Sequence, residues 1–408
     1  MNTFCAIPLE ARLIVIFVVG ACLGAAVNWA IYRLAWFSRA VSPWSPPDPS
    51  APPRRWFDRT PIIGWLGLRR EARLHGVGFW IRPMLLEMAT AVGLAWLYGW
   101  QTAAWPTLPS ELVLWRFLAN ALLIGLMLAA SMIDVDEKII PDAITIPGTL
   151  AGLALAAVRP ESLLFDPFQL PLSSFLHIAS PNPWPDRLNG FPNGWSLALG
   201  LACWWAWCAA LLPRSWRRRH GWRRAVQLWL ARIVRERVSY RLGAMAVLGS
   251  LVLAWIWMRG GWAWQGLLSS LVGVVVGGGL IWAVRIVGAA VLRREAMGFG
   301  DVTLMAMIGA FLGWQPCLVI FFLAPMAGLI VGLLRVVLFR DKEIPYGPFL
   351  CLAALFVIVR WDWIWERCWH VFELEWFVPL AMVLCLALMA LMLGTWRLVR
   401  SLLVRLFR

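Results

Sequence analysis

Long apolar runs, each near the ~20 residues that cross a bilayer, alternate with short polar stretches along nearly the whole chain. The first, about 12–36, reads RLIVIFVVGACLGAAVNWAIYRLAW. It is longer than a signal-peptide core and has no convincing cleavage site, which predicts a retained span. A second span is predicted from about 84 (MLLEMATAVGLAWLYGW), and others at about 112–133, 139–158, 194–213, 241–258 and 264–290. A short span follows MGFGD, and three more are expected at about 317–339, 347–360 and 375–397. The pattern predicts an all-α polytopic membrane protein with about eleven transmembrane helices.

The loops assign sides. Stretches 37–83, 214–240, 291–301, 340–346 and the tail RLVRSLLVRLFR are basic, whereas 102–111, 159–193 and 361–374 carry few positive charges. All the basic stretches fall on one side if the N-terminus is outside and the C-terminus cytoplasmic, as positive-inside sorting requires. The segment 159–193, rich in Pro, Ser and Asn, reads as an external loop. Within 214–240, Val226, Leu228, Trp229, Leu230, Ile233 and Val234 suggest an amphipathic helix on anionic lipid of the inner leaflet.

Composition narrows the function. The 408 residues are 61% hydrophobic and 14% charged, with mean hydropathy +0.72, too apolar for a soluble enzyme of this length. The net charge of +15 is accounted for by cytoplasmic loops, so no nucleic-acid partner is expected. Most of the eight cysteines sit in apolar runs, no CxxC occurs, and the four histidines are scattered; no metal site is expected. Many of the 30 Trp lie near the ends of apolar runs, as interfacial belts do.

Two acidic stretches stand out against this hydrocarbon. Residues 297–303 read MGFGDVT and residues 131–148 read SMIDVDEKIIPDAITIPG. Carboxylates at such positions are expensive unless they serve a function. Asp134 is expected to close the third span, with Asp136, Glu137 and Lys138 as a turn. Pro141 and Asp142 then open the fourth span, Asp142 suiting the positive end of the helix dipole. Asp134 and Asp301 are expected at one membrane depth on the cytoplasmic side. Two carboxylates brought close share a proton, so one can activate water while the other donates to a carbonyl. Gly298 and Gly300, lacking Cβ, allow φ > 0 and let substrate backbone approach Asp301. Plainer roles stay open: Asp301 as the N-cap of a helix starting at Val302, Asp142 as a helix-terminal charge, or the pair in an ion-coupled transporter.

These stretches resemble the type IV prepilin peptidases, polytopic aspartic peptidases of the bacterial inner membrane. MIDVDEKIIPDAITIPG is similar to that family's D-x-D-x-x-x-x-P-D-x-x-T-x-P, and EAMGFGDVTLMAMIGAFLGW to its G-x-G-D-x-K segment. IPYGPFL at 344–350 resembles I-P-F-G-P-F-L, and GACLGAAVNWAIYRL and RPMLLEMATA resemble segments of its first two spans. The resemblance implies a GxGD-type aspartic peptidase core, catalytic Asp134 and Asp301, and supporting roles for Gly298, Gly300, Asp136, Pro141 and Asp142. It implies cleavage of short basic leaders of pilin or pseudopilin precursors after Gly at the cytoplasmic face. Proteolysis of this kind needs no cofactor. S-adenosylmethionine belongs to the N-methyltransferase activity that many members add.

Five units follow. They are 12–101, with a cytoplasmic loop lacking the family's paired CxxC motifs; 112–158, the first catalytic hairpin; 159–262, an insertion; 263–361, the second catalytic core; and 362–408, an extra span and tail. Without those cysteines the zinc they would imply is not expected, and methylation is in doubt. Thr303 stands where the family has Lys. A non-catalytic assembly scaffold descended from a peptidase is the alternative reading.

Overall fold

Charged turns, prolines and left-handed residues cut the apolar chain into helices in the computed structural model. The structure describes residues 2–406 except 38–40, 46, 48, 107, 167–175, 180–184, 213–234, 294, 296, 340–344 and 375. Among the described residues there is no β-strand. The long helices are α1 (Leu9–Leu34), α2 (Ile81–Ala104), α3 (Ser110–Glu137), α4 (Asp142–Val158), α5 (Gly194–Ala210), α6 (Arg237–Arg259), α7 (Gly261–Leu292), α8 (Phe299–Leu312), α9 (Trp314–Phe339), α10 (Gly347–Glu373) and α11 (Phe377–Leu406). By length and hydropathy, α1, α3, α6, α7, α10 and residues 377–399 of α11 suffice to cross a membrane. The shorter α4, α8 and the first part of α9 are also apolar.

The core is organised around α8. Its residues Asp301 to Leu312 are all buried, which fits a helix that is apolar on every side. It packs against α7 most closely, then against α4, α9, α3 and α10. Helix α7 ends at Arg293, which takes the left-handed conformation of a helix terminus, and Gly313 (φ 90°) divides α8 from α9.

Helices α1 and α2 pair closely, with the segment 41–80 folded beside them. Buried carboxylates hold that segment. Arg54 makes a bidentate pair with Glu71 (2.8 and 2.9 Å), and Arg70 pairs with the fully buried Asp58 at 2.5 Å. On α2 the fully buried Glu87 accepts from Asn28 Nδ2 of α1 (2.9 Å), Trp65 Nε1 (2.7 Å) and the Ile62 N–H (2.5 Å). Asn28 Nδ2 also reaches the Pro83 carbonyl at 2.9 Å.

Three boundaries differ from expectation. Helix α3 continues through Glu137, so Asp136 and Glu137 are helical and the turn begins at Lys138 (φ 58°). Pro141 is the N-cap of α4 rather than part of its first turn. The stretch 361–374, read as a loop from its charges, is helical up to Glu373, with a break at Arg360. It stays helical because Trp361, Ile364 and Trp365 turn inward. There Trp361 Nε1 donates to the Phe165 carbonyl (3.1 Å) and Trp365 Nε1 to Asp166 Oδ1 (3.0 Å). The presumed external loop is therefore tucked in at Leu163–Asp166, all buried. Of the inserted region, α5 packs on α6 and α7, and Trp204 Nε1 donates to the Ala246 carbonyl at 2.9 Å. Most of the basic stretch 214–240, including all six positions of the expected amphipathic helix, lies outside the described residues.

Candidate active site

Asp134 sits one turn from the end of α3, and its side chain is buried. Its Oδ2 accepts the backbone N–H of Gly347, the first residue of α10, at 3.1 Å. That contact requires glycine, because a Cβ at 347 would lie 2.6 Å from the same oxygen. Asp301 is the third residue of α8 and is also buried. Its carboxylate lies beside Gly298, the N-cap, where a Cβ at 298 would stand 3.6 Å from Oδ2. Gly347 touches Asp134 and Ile140, and Gly300, next to Asp301, touches Ile140 as well, so the fold brings into one neighbourhood residues 167 positions apart in sequence.

Ile140, in the turn after α3, is the packing piece between them. A Cβ on Gly300 would meet Ile140 Cβ at 2.8 Å, and one on Gly347 would meet Ile140 Cδ1 at 3.0 Å. Gly300 therefore serves close approach of α8 to the α3–α4 turn. Neither Gly298 nor Gly300 uses the positive φ that glycine allows: Gly298 is the extended N-cap (φ −66°, ψ 155°) and Gly300 lies in the first turn of α8. The helix begins at Phe299, so Asp301 is not its N-cap. Tyr346, just before α10, completes this corner. Burial, and secondarily the Asp301 charge, push its phenol up to about 12.

The other expected residues are placed differently. Asp136 is exposed and accepts two hydrogen bonds from Arg82 Nη1 at the start of α2 (2.8 and 2.9 Å). Glu137, not singled out in the sequence, accepts the N–H groups of Trp36 (2.7 Å) and Phe37 (3.0 Å). Together they tie the acidic end of α3 to α1 and α2. Asp142 is exposed on the first turn of α4, away from the buried pair's hydrogen bonds. Thr303, in the family's Lys position, is buried and donates its hydroxyl to the Gly300 carbonyl at 3.0 Å.

Among the described residues no group of three His, Cys, Asp or Glu could hold a metal. Glu87 and Asn28 match the N-terminal half of the resemblance, but both Glu87 oxygens and the Asn28 NH2 group are taken by protein partners.

Residues 233–333 match the type IV leader peptidase family. The chain is 24% identical over 324 residues to the prepilin leader peptidase/N-methyltransferase of Myxococcus xanthus (strain DK1622), covering 78% of this chain and 62% of that protein. It is 28% identical over 153 residues to the like-named protein of Aeromonas salmonicida (strain A449), covering 35% and 51%. To that of Pseudomonas aeruginosa it is 35% identical over 98 residues, 23% of this chain and 33% of the relative. The chain thus spans from a third to three fifths of the length of these relatives. An alignment over 78% of the chain necessarily runs across both Asp134 and Asp301, whereas the family match holds only Asp301. No solved structure matches.

Proposed function

We propose, from the match of residues 233–333 to the type IV leader peptidase family and the similarity to its curated relatives, that the chain is a membrane-embedded aspartic endopeptidase whose catalytic pair is Asp134 and Asp301. One observation carries this reading: two buried carboxylates from separate helices, held at one corner of the bundle and electrostatically coupled. At such a corner the two groups share one proton. The ionised carboxylate takes a proton from water as the water oxygen attacks the scissile carbonyl carbon. The protonated one hydrogen-bonds the carbonyl oxygen, and the amine leaves with a proton returned through the pair. The Gly347 N–H fixes Asp134 during these exchanges.

The substrates are precursors of the pilin or pseudopilin type, cut after Gly on the cytoplasmic side of their apolar helix. The positive-inside pattern of the loops supports that side and an inner-membrane location. Gly at the cut suits a cleft this crowded, since Ile140 and Tyr346 stand beside the carboxylates. Methylation is outside this reading, because Glu87 and Asn28 are committed to the fold. The test is N-terminal sequencing of a precursor matured in cells with and without Asp134. A mature end inside the apolar helix, or maturation that does not need Asp134, would overturn the proposal.

A further inference from the structure

Beside α8, on the face away from Asp301, a cavity of about 180 Å³ opens between three helices. Its walls include Ala206 and Ala210 of α5, Val275, Gly279 and Trp282 of α7, and Thr303 of α8. Phe299, Val302, Thr303 and Ala306, one side of α8 by helical spacing, all line it. Asp301 lies about 150° around the helix from their mean direction. An occupant here touches the catalytic helix without reaching the catalytic pair.

The lining decides what can enter. It is almost entirely hydrocarbon, and the hydroxyl of Thr303 is already committed to the Gly300 carbonyl. An apolar cavity of about 150 Å³ stays dry and accepts an apolar ligand, so hydrocarbon suits this one and water does not. Trp282, in the cavity wall, is 40% exposed, so the cavity reaches the outer surface of the helices there. In an integral membrane protein that surface faces lipid.

The charges near the mouth favour one kind of lipid. One turn beyond Trp282, Arg285 lies over the ring of Phe299 (5.6 Å to the centroid). Its partner Glu295, at 3.2 Å, is 83% exposed, a pairing worth little in water. Arg293 is exposed at the end of α7, and Arg397 of α11 reaches the Val291 carbonyl at 2.7 Å. Three guanidinium groups against one solvated carboxylate complement a phosphate.

We propose that α5, α7 and α8 form a site for a single anionic phospholipid, with an acyl chain in the cavity and its phosphate at Arg285. The wall that closes the site, α5, comes from the inserted region. The site is therefore a property of this chain's insertion, and it stands whether or not the peptidase reading holds.

Gly279 offers a clean test, since a Cβ there meets no atom within 4 Å and a larger side chain would grow into the cavity. Full-length protein in mild detergent would be titrated with phosphatidylglycerol or phosphatidylcholine and examined by native mass spectrometry. A single phosphatidylglycerol should be retained, and Gly279→Leu should weaken retention about tenfold or more. Arg285→Gln should erase the preference for phosphatidylglycerol while leaving weak retention of both lipids. Ala210→Leu fills the cavity from the opposite wall and covers a folding failure of the first variant, read by thermal unfolding. Unchanged retention in both cavity variants would overturn the proposal. So would unchanged retention with a raised KM for a precursor peptide, which would assign the groove to the substrate's helix.

Discussion

The backbone N–H of Gly347 donates to Oδ2 of Asp134 over 3.1 Å, joining the start of α10 to the end of α3 across 213 positions of sequence. Hydrogen bonds to a carboxylate are among the stronger ones, worth ~1.5–3 kcal/mol. The same approach leaves no room for a side chain, since a Cβ would sit 2.6 Å from the oxygen. Gly347→Ala should therefore displace Asp134 and reduce precursor cleavage by about ten- to a hundredfold. Gly394→Ala, where a Cβ meets nothing within 4 Å, is the control and should cleave normally. Normal cleavage by Gly347→Ala would show that this contact does not position the carboxylate.

If Asp134 and Asp301 act as one proton-sharing unit, their losses cannot add. Asp134→Asn and Asp301→Asn should each abolish cleavage, and the double variant should be no worse than either. The wild-type rate should fall at both low and high pH, because one carboxylate must be ionised and the other protonated. Asp136→Asn breaks an exposed pair with Arg82, worth ~0–1 kcal/mol, and should cost at most a few-fold. Asp142→Asn should be milder still. Single-turnover cleavage of a precursor peptide measures all five.

The neighbourhood of Asp134 and Asp301 was legible because Asp is costly where hydrocarbon is otherwise continuous. Gly347 was visible as part of IPYGPFL, but only tertiary structure connects it to Asp134. Ile140 left no signal at all: an apolar residue in an apolar stretch says nothing of the two glycines it will meet. The turn after Asp134 was misread because charged residues look like loop, yet Asp136 and Glu137 are helical and grip Arg82 and the backbone after α1. Charge misled at 361–374 for the same reason. There the inward Trp361 and Trp365 outweigh the outward Arg367 and Glu366. Local polarity reports solvent exposure of one face, while helix continuation depends on what the other face buries.

Glu87 should matter to the fold more than to chemistry. Its oxygens receive donors from α1, from Trp65 and from Ile62, whose φ of 65° is unusual for a β-branched residue. Glu87→Gln turns one acceptor into a donor facing donors and should cost about 1–3 kcal/mol. The segment 54–76 should loosen, seen as faster trypsin cleavage after Arg59 and Arg69, with the site of precursor cleavage unchanged. Unaltered protease resistance would mean that the segment is held elsewhere.

The same segment should need no zinc. Arg54–Glu71 and Arg70–Asp58 link its two ends through carboxylates that are almost wholly buried. Purified protein should hold no stoichiometric zinc, and chelators should leave both protease resistance and cleavage intact. Glu71→Ala, which leaves Arg54 only the carbonyls of Ser42, Pro43 and Ser45, should destabilise the segment by about 1–3 kcal/mol. One zinc per chain, with activity lost on its removal, would contradict this.

Acid should weaken the docking of residues 176–178 onto α9. The His177 carbonyl accepts Trp314 Nε1 (2.9 Å) and Gln315 Nε2 (2.7 Å), and its imidazole is buried. Burial alone pulls that imidazole down from 6.5 to about 4. Between those values the unfolded chain binds the proton and the folded chain does not, so stability rises with pH. The contribution is complete above about pH 6.5 and is lost as pH falls towards 4, amounting to about 3 kcal/mol at most. His177→Gln keeps the backbone carbonyl while removing the titration. Thermal unfolding from pH 7 to 4 should therefore show a flatter acid limb in that variant than in the wild type. Identical limbs would mean that other groups govern acid stability.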